Sequence, residues 1–351
     1  MTDKHTASGP TGFRAAARRP VRVSQQDLVT MGRLDVGHGD FPLLIQPRVE
    51  SVNPTAWVDG SRELVESLLL RHGGILFRGF GVKGVAAFED LARAICGPLL
   101  NYNERAAPRR EVGGRVYTST EFPPDQCIPL HHEMSFSHNW PTKILFYCDQ
   151  AAQEGGATPI TDDRLILDLI DREIRETLIR RKVMYVRNYG EGVDMSWAEV
   201  FQTTDRAEVE EYCRRAGATF EWHSGDRLRT RAVRPALATH PRLGTTVWFN
   251  HAHMFHSSNL EPQVRDALLS EFAPDELPRN VFYGDGGVIE DEVLEHIRTV
   301  YWEASVKFPW QEGDVLLLDN FLASHGREPF RGPRKVLVAM GELYTDPEMR
   351  V

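Results

Sequence analysis

Two histidines and a glutamate stand close together in the stretch IPLHHEMSFSHNW, residues 128–140. If HHEMSF is a β-strand, successive side chains point to opposite faces, so His131 and Glu133 share one face and His132 points away. An imidazole and a carboxylate that converge on one face are typical ligands of a transition-metal ion. The stretch therefore predicts a strand that presents two metal ligands to one cavity.

A third ligand must come from a distant part of the chain. The segment LLLDNFLASHGREPFRGPRKVLVAM supplies His325 just after a strongly apolar strand, where a short loop could return it to the same cavity. Two histidines and one carboxylate form the facial triad of non-haem Fe(II) oxygenases, which leaves coordination positions open for a co-substrate and oxygen. Arg331 and Arg334 lie beside the final strand, and an arginine there could bind a dicarboxylate through two parallel hydrogen bonds.

The order of the motifs HHE, GGATPITD and DNFLASHGREPFRGPR resembles the Fe(II)/2-oxoglutarate-dependent taurine dioxygenase family, with its clavaminate-synthase-like relatives. The resemblance extends over roughly residues 60–345. The longer run GGRVYTSTEFPPDQCIPLHHEMSFSHNWPTKILFYC, with TTVWFNHAHMFHSSNL, is similar to the branch of that family typified by the syringomycin-pathway hydroxylase.

The resemblance implies a fold, a metal site and a set of cofactors. The fold is mainly β with flanking helices (α+β), a double-stranded β-helix or jelly roll. The implied metal ligands and catalytic residues are His131, Glu133 and His325. The implied cofactors are Fe(II), 2-oxoglutarate and O2, and the protein's part is to hold the ion in an open geometry and aim one C–H bond.

The resemblance also implies how 2-oxoglutarate is bound. Thr158 matches the hydroxyl that helps hold the co-substrate, and Arg334 matches the arginine that pairs with its distal carboxylate; Arg331 is the rival for that role. A basic residue near the end of the last strand, present in sulfonate-oxidising members, is replaced by Ala339 and Met340. The sequence therefore argues against a free sulfonate as the substrate.

The acidic ligand bears on the reaction class, because halogenating relatives lack it and Glu133 keeps the triad complete. We expect hydroxylation of an aliphatic carbon of an amino acid or amino-acid-derived substrate in specialised metabolite biosynthesis. Whether the substrate is free or tethered to a carrier protein stays open, as do desaturation, epoxidation and cyclisation at the same iron site. From another class, a non-catalytic β-helix that binds a metal or ligand is the alternative.

A second histidine-rich stretch, FNHAHMFHSSN, offers a competing metal cluster. Its members are His251, His253 and His256, the first two on one face of a predicted strand. The stretch lacks a nearby carboxylate, so we interpret it as a wall of the substrate pocket or a structural loop. Asp319 and Asn320 could orient a metal-bound His325, or simply form a polar strand end.

Length and charge limit the partners. The chain has 351 residues, of which 41% are hydrophobic and 26% charged, enough for a substantial core. A net charge of -9 argues against nucleic acid or an anionic membrane surface as the partner, so we expect a small molecule or another protein.

The sequence also predicts a cytoplasmic protein without disulfides or a membrane span. Its four cysteines lack C-x-x-C spacing, and it has neither an apolar signal region nor a long apolar run.

Composition and periodicity divide the chain as follows. Residues 1–25 are polar and rich in small side chains, which predicts a disordered arm. Residues 26–351 are predicted to form a single oxygenase domain, in which about 163–310 is a helical and strand insertion between two halves of the β core. Within that insertion, residues 165–181 read as a continuous amphipathic helix.

Overall fold

The computed structural model describes residues 25–36, 39–101, 109–120, 122–190 and 195–347. The predicted disordered arm, residues 1–25, lies outside these ranges except for Gln25, which begins a short 3₁₀ helix. No helix in the described ranges combines the length and the apolar character that crossing a bilayer requires.

The strands are β1 (Val29–Gly32), β2 (Leu43–Pro47), β3 (Gly74–Phe77), β4 (Glu111–Gly113), β5 (Val116–Thr118), β6 (Ile128–His131), β7 (Asn139–Gln150), β8 (Glu154–Gly155), β9 (Ile160–Asp162), β10 (Val183–Tyr189), β11 (Ala218–His223), β12 (Arg227–Arg234), β13 (Leu237–Thr239), β14 (Thr246–Trp248), β15 (Arg279–Tyr283), β16 (Val315–Asp319), β17 (Ala323–Arg327), β18 (Phe330–Arg331) and β19 (Lys335–Thr345). The helices are α1 (Pro54–Gly60), α2 (Arg62–His72), α3 (Gly84–Cys96), α4 (Asp163–Leu169), α5 (Arg172–Arg181), α6 (Trp197–Phe201), α7 (Arg206–Arg215), α8 (Ala252–Phe255), α9 (Pro262–Glu271) and α10 (Asp291–Glu303).

The main sheet has eight strands in the order β1-β2-β3-β16-β7-β19-β5-β4, with the long strands β7 and β19 near its middle. Its central strands are apolar on both faces because both faces are covered. Along β7, Leu145 and Tyr147 pack with residues of α1, α2 and α3. Ile144 and Phe146 belong to a second apolar cluster on the other face. This alternation follows from the two-residue repeat of a strand.

A three-stranded sheet, β6-β17-β9, contributes to that second cluster through Ile160 and Ala323. The two sheets form the layers of the β core, and the small sheet carries the predicted metal-binding histidines, His131 on β6 and His325 on β17.

The region predicted as an insertion, about residues 163–310, contains a separate antiparallel sheet with the order β11-β12-β10-β15. It also contains the helices from α4 to α10. The single helix expected over residues 165–181 is wrong, because α4 ends at Leu169 and α5 begins at Arg172. Ile170 takes an extended conformation between the two helices and is buried in an apolar cluster with Ile166 and Leu178. Tertiary burial therefore outweighs continuation of the helix.

Close approach of β17 to β6 requires a glycine. A Cβ atom on Gly326 would lie 2.6 Å from the backbone oxygen of Ile128 and 3.2 Å from the backbone nitrogen of Leu130. The register of the pair also shifts between His325 and Arg327, so an irregularity at Gly326 sets the position of His325.

We therefore expect Gly326→Ala to separate β6 from β17 and to lower the free energy of unfolding by about 1–3 kcal/mol, the usual cost of overpacking. Chemical denaturation measures the change. Gly32→Ala is the matched control, because no atom lies within 4 Å of a Cβ built at this strand glycine. Equal stabilities of the two variants would contradict the steric role of Gly326.

Candidate active site

Strand pairing brings two of the predicted ligands face to face. His325 on β17 and His131 on β6 are direct partners across the antiparallel pair. Side chains opposite each other in such a pair lie about 4.5–5.5 Å apart at Cβ, and the two imidazole centroids are 4.5 Å apart. The pairing register therefore converts two histidines that are distant in sequence into neighbours.

Glu133 reaches the site from a turn. The strand expected over HHEMSF is wrong beyond His131, where β6 ends. Asn320 holds the turn in place: its side-chain oxygen accepts from the Glu133 backbone nitrogen at 2.8 Å, and its amide nitrogen donates to the Glu133 backbone oxygen at 2.9 Å. Met134 then takes a left-handed conformation with φ 61°, which turns the chain directly after Glu133.

The three side chains converge in a buried position. One possible ligand atom from each of His131, Glu133 and His325 lies within 4.8 Å of the other two. Within the described ranges, no other three His, Cys, Asp or Glu side chains converge in this way. The distance from Glu133 Oε2 to His325 Nε2 is 3.8 Å.

The electrostatics of the site suit metal binding. His131 donates from Nδ1 to the backbone oxygen of Pro129 at 2.8 Å, which leaves Nε2 as the ligand atom. Burial lowers the pKa of His131, and it lowers the pKa of His325 well below its usual value. Both imidazoles are therefore neutral and have lone pairs to offer. Two neutral imidazoles and one carboxylate are the donor set of a non-haem Fe(II) site, so these residues fit the ion that the sequence implies.

Sequence reasoning missed one charged group at the site. The Arg109 Nη2 atom donates to Glu133 Oε2 at 2.9 Å, and both side chains are 4% exposed. Arg109 lies well upstream of the motif, and nothing in its local sequence links it to Glu133. Only the tertiary structure brings this guanidinium to the predicted acidic ligand.

A narrow cleft beside the triad contains both Thr158 and Arg334, together with His131 and His325. Arg334 donates from Nε to the backbone oxygen of Gly156 at 2.9 Å, and its Nη2 lies 3.4 Å from Thr158 Oγ1. Burial lowers the pKa of Arg334 to about 10, so the side chain remains a cation at neutral pH. The cleft thus has a hydroxyl and a cation on one side of the predicted metal position.

The rival arginine lies elsewhere. The Arg331 side chain is 85% exposed and its Nη1 is 3.6 Å from Glu154 Oε2 on the protein surface. It does not line the cleft that contains Thr158 and Arg334. A surface ion pair of this kind contributes little binding energy.

The second group of histidines does not form a strand face, because His251 immediately precedes the short helix α8 and His253 lies within it. His251 Nδ1 is hydrogen-bonded to Ser135 Oγ at 2.5 Å, and His253 Nε2 donates to the Leu130 backbone oxygen at 2.7 Å. His256 instead caps a 3₁₀ helix. The interpretation of this stretch as a wall of the substrate pocket fits His251 and His253, which line the large cavity beside the triad.

The residues expected to orient His325 have other partners. Asp319 Oδ2 is 3.0 Å from His240 Nε2, and Asn320 holds the Glu133 turn. Of the two interpretations left open for Asp319 and Asn320, a direct hydrogen bond that orients His325 is not observed, since His325 Nδ1 has no hydrogen-bond partner among the described residues.

A large cavity of about 940 Å³ opens from the triad toward α9 and α10. Close to the triad it is lined by apolar side chains, among them Met134, Phe136 and Phe255. Farther out the lining includes Val264 and Trp302, which are 50% and 41% exposed. The lining also includes the charged side chains of Arg109, Glu295 and Arg298. A cavity that combines apolar walls with a few polar groups is typical of a small-molecule site.

Comparison with protein families gives one match over most of the chain. The model of the "Taurine catabolism dioxygenase TauD, TfdA family" matches residues 40–340. This range includes the three predicted metal ligands as well as Thr158 and Arg334.

Two curated proteins and one solved structure show similarity to this chain. The dapdiamide synthesis protein DdaC of Enterobacter agglomerans is 44% identical over 280 residues, which cover 80% of this chain and 85% of DdaC. A clavaminate synthase-like protein of Arabidopsis thaliana is 33% identical over 319 residues, covering 86% of this chain and 93% of that protein. PvcB, described as an Fe, alpha-ketoglutarate dependent oxygenase from an isonitrile synthetic pathway, aligns with a TM-score of 0.56 and 17% identity over 94% of this chain and 98% of PvcB. The α+β jelly-roll fold predicted from the sequence is thereby confirmed.

Glu133→Gln removes the acidic donor while keeping its size. We expect the variant to lose Mn(II) binding, measured by calorimetry, and to stop forming succinate from 2-oxoglutarate, because the neutral amide removes the only negative charge among the three donors. Glu154→Gln, an exposed glutamate outside the site, is the control. Full succinate formation by the Glu133 variant would contradict its assignment as a ligand.

Arg334→Ala should raise the KM for 2-oxoglutarate by roughly tenfold or more, because a hydrogen bond to a charged group contributes about 1.5–3 kcal/mol and 1.4 kcal/mol is tenfold. Arg331→Ala should leave that KM unchanged, since its side chain is exposed. Steady-state succinate assays compare the two variants. The reverse ranking would assign the co-substrate carboxylate to Arg331.

Proposed function

Because the chain belongs to the taurine catabolism dioxygenase TauD, TfdA family, we propose that it hydroxylates an aliphatic carbon of an amino-acid-derived substrate in specialised metabolite biosynthesis. The family confirms the enzyme class and the cofactors that the motif order predicts: the protein is an oxygenase that uses Fe(II), 2-oxoglutarate and O2. The convergence of His131, Glu133 and His325 in a buried site carries the proposal.

In the proposed site, His131, Glu133 and His325 would hold Fe(II), and Thr158 and Arg334 would hold 2-oxoglutarate. When bound, the iron and 2-oxoglutarate together supply the oxidising power for breaking an unactivated C–H bond. The overall reaction balances as substrate C–H, 2-oxoglutarate and O2 giving substrate C–OH, succinate and CO2.

The chain's own residues position the reactants and keep water out. The Arg334 guanidinium is suited to a bidentate pair with the distal carboxylate of 2-oxoglutarate. The Thr158 hydroxyl lies 3.4 Å from Nη2 of the same guanidinium. The ligands lie 8% exposed or less, so few water molecules compete at the metal position. With Fe(II) bound, the Glu133 carboxylate would fill the coordination position that a halide would need, which favours hydroxylation over halogenation.

Several observations support an amino-acid-derived substrate larger than a free amino acid. The cavity of about 940 Å³ lies near the upper end of the roughly 300–1,000 Å³ range of drug-sized ligand pockets. Ala339 and Met340, where sulfonate-oxidising members have a basic residue, are apolar and buried. The name of DdaC refers to dapdiamide synthesis, and a related biosynthetic role is part of our proposal.

The outer part of the cavity suggests how such a substrate could be presented. Leu260, Val264 and Trp302 line it and are 37%, 50% and 41% exposed. Exposed apolar side chains around a deep opening favour contact with a protein partner. We therefore include in the proposal that a carrier protein presents the substrate as a tethered thioester.

The decisive experiment incubates the protein with Fe(II), 2-oxoglutarate, O2 and a panel of free amino acids, short peptides and their carrier-bound thioesters. Mass spectrometry should find a gain of one oxygen atom in an amino-acid-derived substrate, matched by one succinate, with carrier-bound forms reacting faster than free ones. A loss of two hydrogen atoms would mean desaturation or ring formation instead. Absence of succinate under all conditions would refute catalysis altogether.

A further inference from the structure

We propose that Asp163 is a positioning residue for the metal centre. Its carboxyl group is bonded to His132 and Ser324, the chain neighbours of His131 and His325, on the side of the two strands that faces away from the metal position. The inference rests on the proposed metal site and extends it to a residue that contacts none of the ligand atoms. Asp163 is the first residue of α4 and is fully buried.

The connection to β6 runs through His132, which lies between two predicted ligands in the sequence. Its side chain points away from the triad, and its Nε2 makes a very close contact with Asp163 Oδ2. Its Nδ1 donates to the backbone oxygen of Asn320 at 2.6 Å. His132 Nε2 also lies 3.0 Å from the backbone oxygen of Trp248, and the side chains of His132 and Asp163 are both 0% exposed, so this contact is closed to water.

The connection to β17 runs through Ser324, the residue before His325. The Ser324 hydroxyl donates to Asp163 Oδ1 at 3.1 Å. Thr161, which pairs with Ser324 across β9 and β17, donates to the same oxygen at 2.7 Å. The Ser324 and Thr161 hydroxyls also contact each other. The Asp163 carboxyl group is therefore bonded to both β17, which carries His325, and its neighbour β9.

Two further contacts fix Asp163 itself. Its backbone nitrogen donates to the Leu322 backbone oxygen at 2.8 Å, just before β17 begins. The Tyr301 hydroxyl of α10 lies 3.4 Å from Oδ2. The Asp163 side chain is thus surrounded by polar groups from β9, β17, α10 and the turn after β6, and removing it would leave several of them unsatisfied.

This network bears on the metal because of where its contacts lie. Each histidine ligand projects from the front of its strand, and the adjacent residue, His132 or Ser324, is held at the back by the same carboxylate. Metal sites tolerate displacements of only about 0.5 Å from the productive geometry. A buried polar network in which every group has a partner can fix one arrangement of the surrounding elements. The hydrogen bonds of Asp163 to His132 and Ser324 therefore fix the separation of the two histidine ligands.

The test is Asp163→Asn, which keeps the size of the side chain but replaces one of its two oxygens with an amide donor that faces the groups now bonded to Asp163. We expect the dissociation constant for Mn(II), measured by calorimetry on the full-length protein, to rise about 10- to 100-fold, as for other residues that support metal ligands. We also expect a broadened Mn(II) electron paramagnetic resonance spectrum, because the ligand distances become heterogeneous. A role confined to stability would change neither quantity below the melting temperature.

Asp314→Asn is the matched control. Asp314 is also buried and bonded to a basic side chain, with its Oδ2 at 2.7 Å from Arg78 Nη2, and neither residue lies on β6, β9 or β17. We expect this variant to lose stability without losing Mn(II) affinity. Equal affinity losses in the two variants, or an Asp163 variant that binds Mn(II) as wild type does, would overturn the inference.

Ser324→Ala provides a milder change if the Asp163 variant does not fold, because it removes a single contact to the carboxylate. It should weaken Mn(II) binding by severalfold, and an unchanged affinity would again overturn the inference.

The Mn(II) affinity of the wild-type protein separates the proposed metal site from the proposed role of Asp163. Failure of the wild-type protein to bind Mn(II) would refute the metal site and with it this role of Asp163, whereas normal wild-type binding with unaffected variants would refute the role of Asp163 alone.

Discussion

The antiparallel pairing of β6 with β17 is the constraint on which the rest of the site depends. It sets His131 directly opposite His325, and the absence of a side chain at Gly326 allows the two backbones to approach. Without this register the chain would carry the same residues but would not bring two imidazoles together. The β core can therefore be understood as a frame that holds one strand pair, with the large sheet and its helices supplying the apolar support.

Burial and charge then determine what the paired histidines can do. Burial keeps the imidazoles neutral, so they can act as donors to a cation, and Glu133 supplies the negative charge. That charge is costly to bury alone, and Arg109 offsets the cost through a direct hydrogen bond. In the adjoining cleft, Arg334 offers a half-buried cation beside Thr158, where a dicarboxylate would extend from the metal.

Much of this arrangement could be predicted from the sequence, because the motifs that carry it are local. The order of HHE, GGAT and the later histidine and arginine predicts the fold and the enzyme class, and both are confirmed. The location of Glu133 in a turn could not be predicted, since it depends on Asn320, a residue far away in the sequence. Arg109 and Asp163 escaped notice for the same reason: a lone arginine and the aspartate after a strand acquire meaning only through tertiary contacts. The apolar periodicity of residues 165–181 also predicted one continuous helix, whereas the structure has a break at Ile170, which is buried in an apolar cluster.

The central claim is that His131, Glu133 and His325 together bind one divalent metal ion, and anomalous X-ray diffraction from crystals grown with Mn(II) and 2-oxoglutarate tests it most directly. We predict a single strong anomalous peak within bonding distance of all three side chains, with the co-substrate extending from it toward Arg334. A peak among His251, His253 and His256, or none near the paired histidines, would contradict the account.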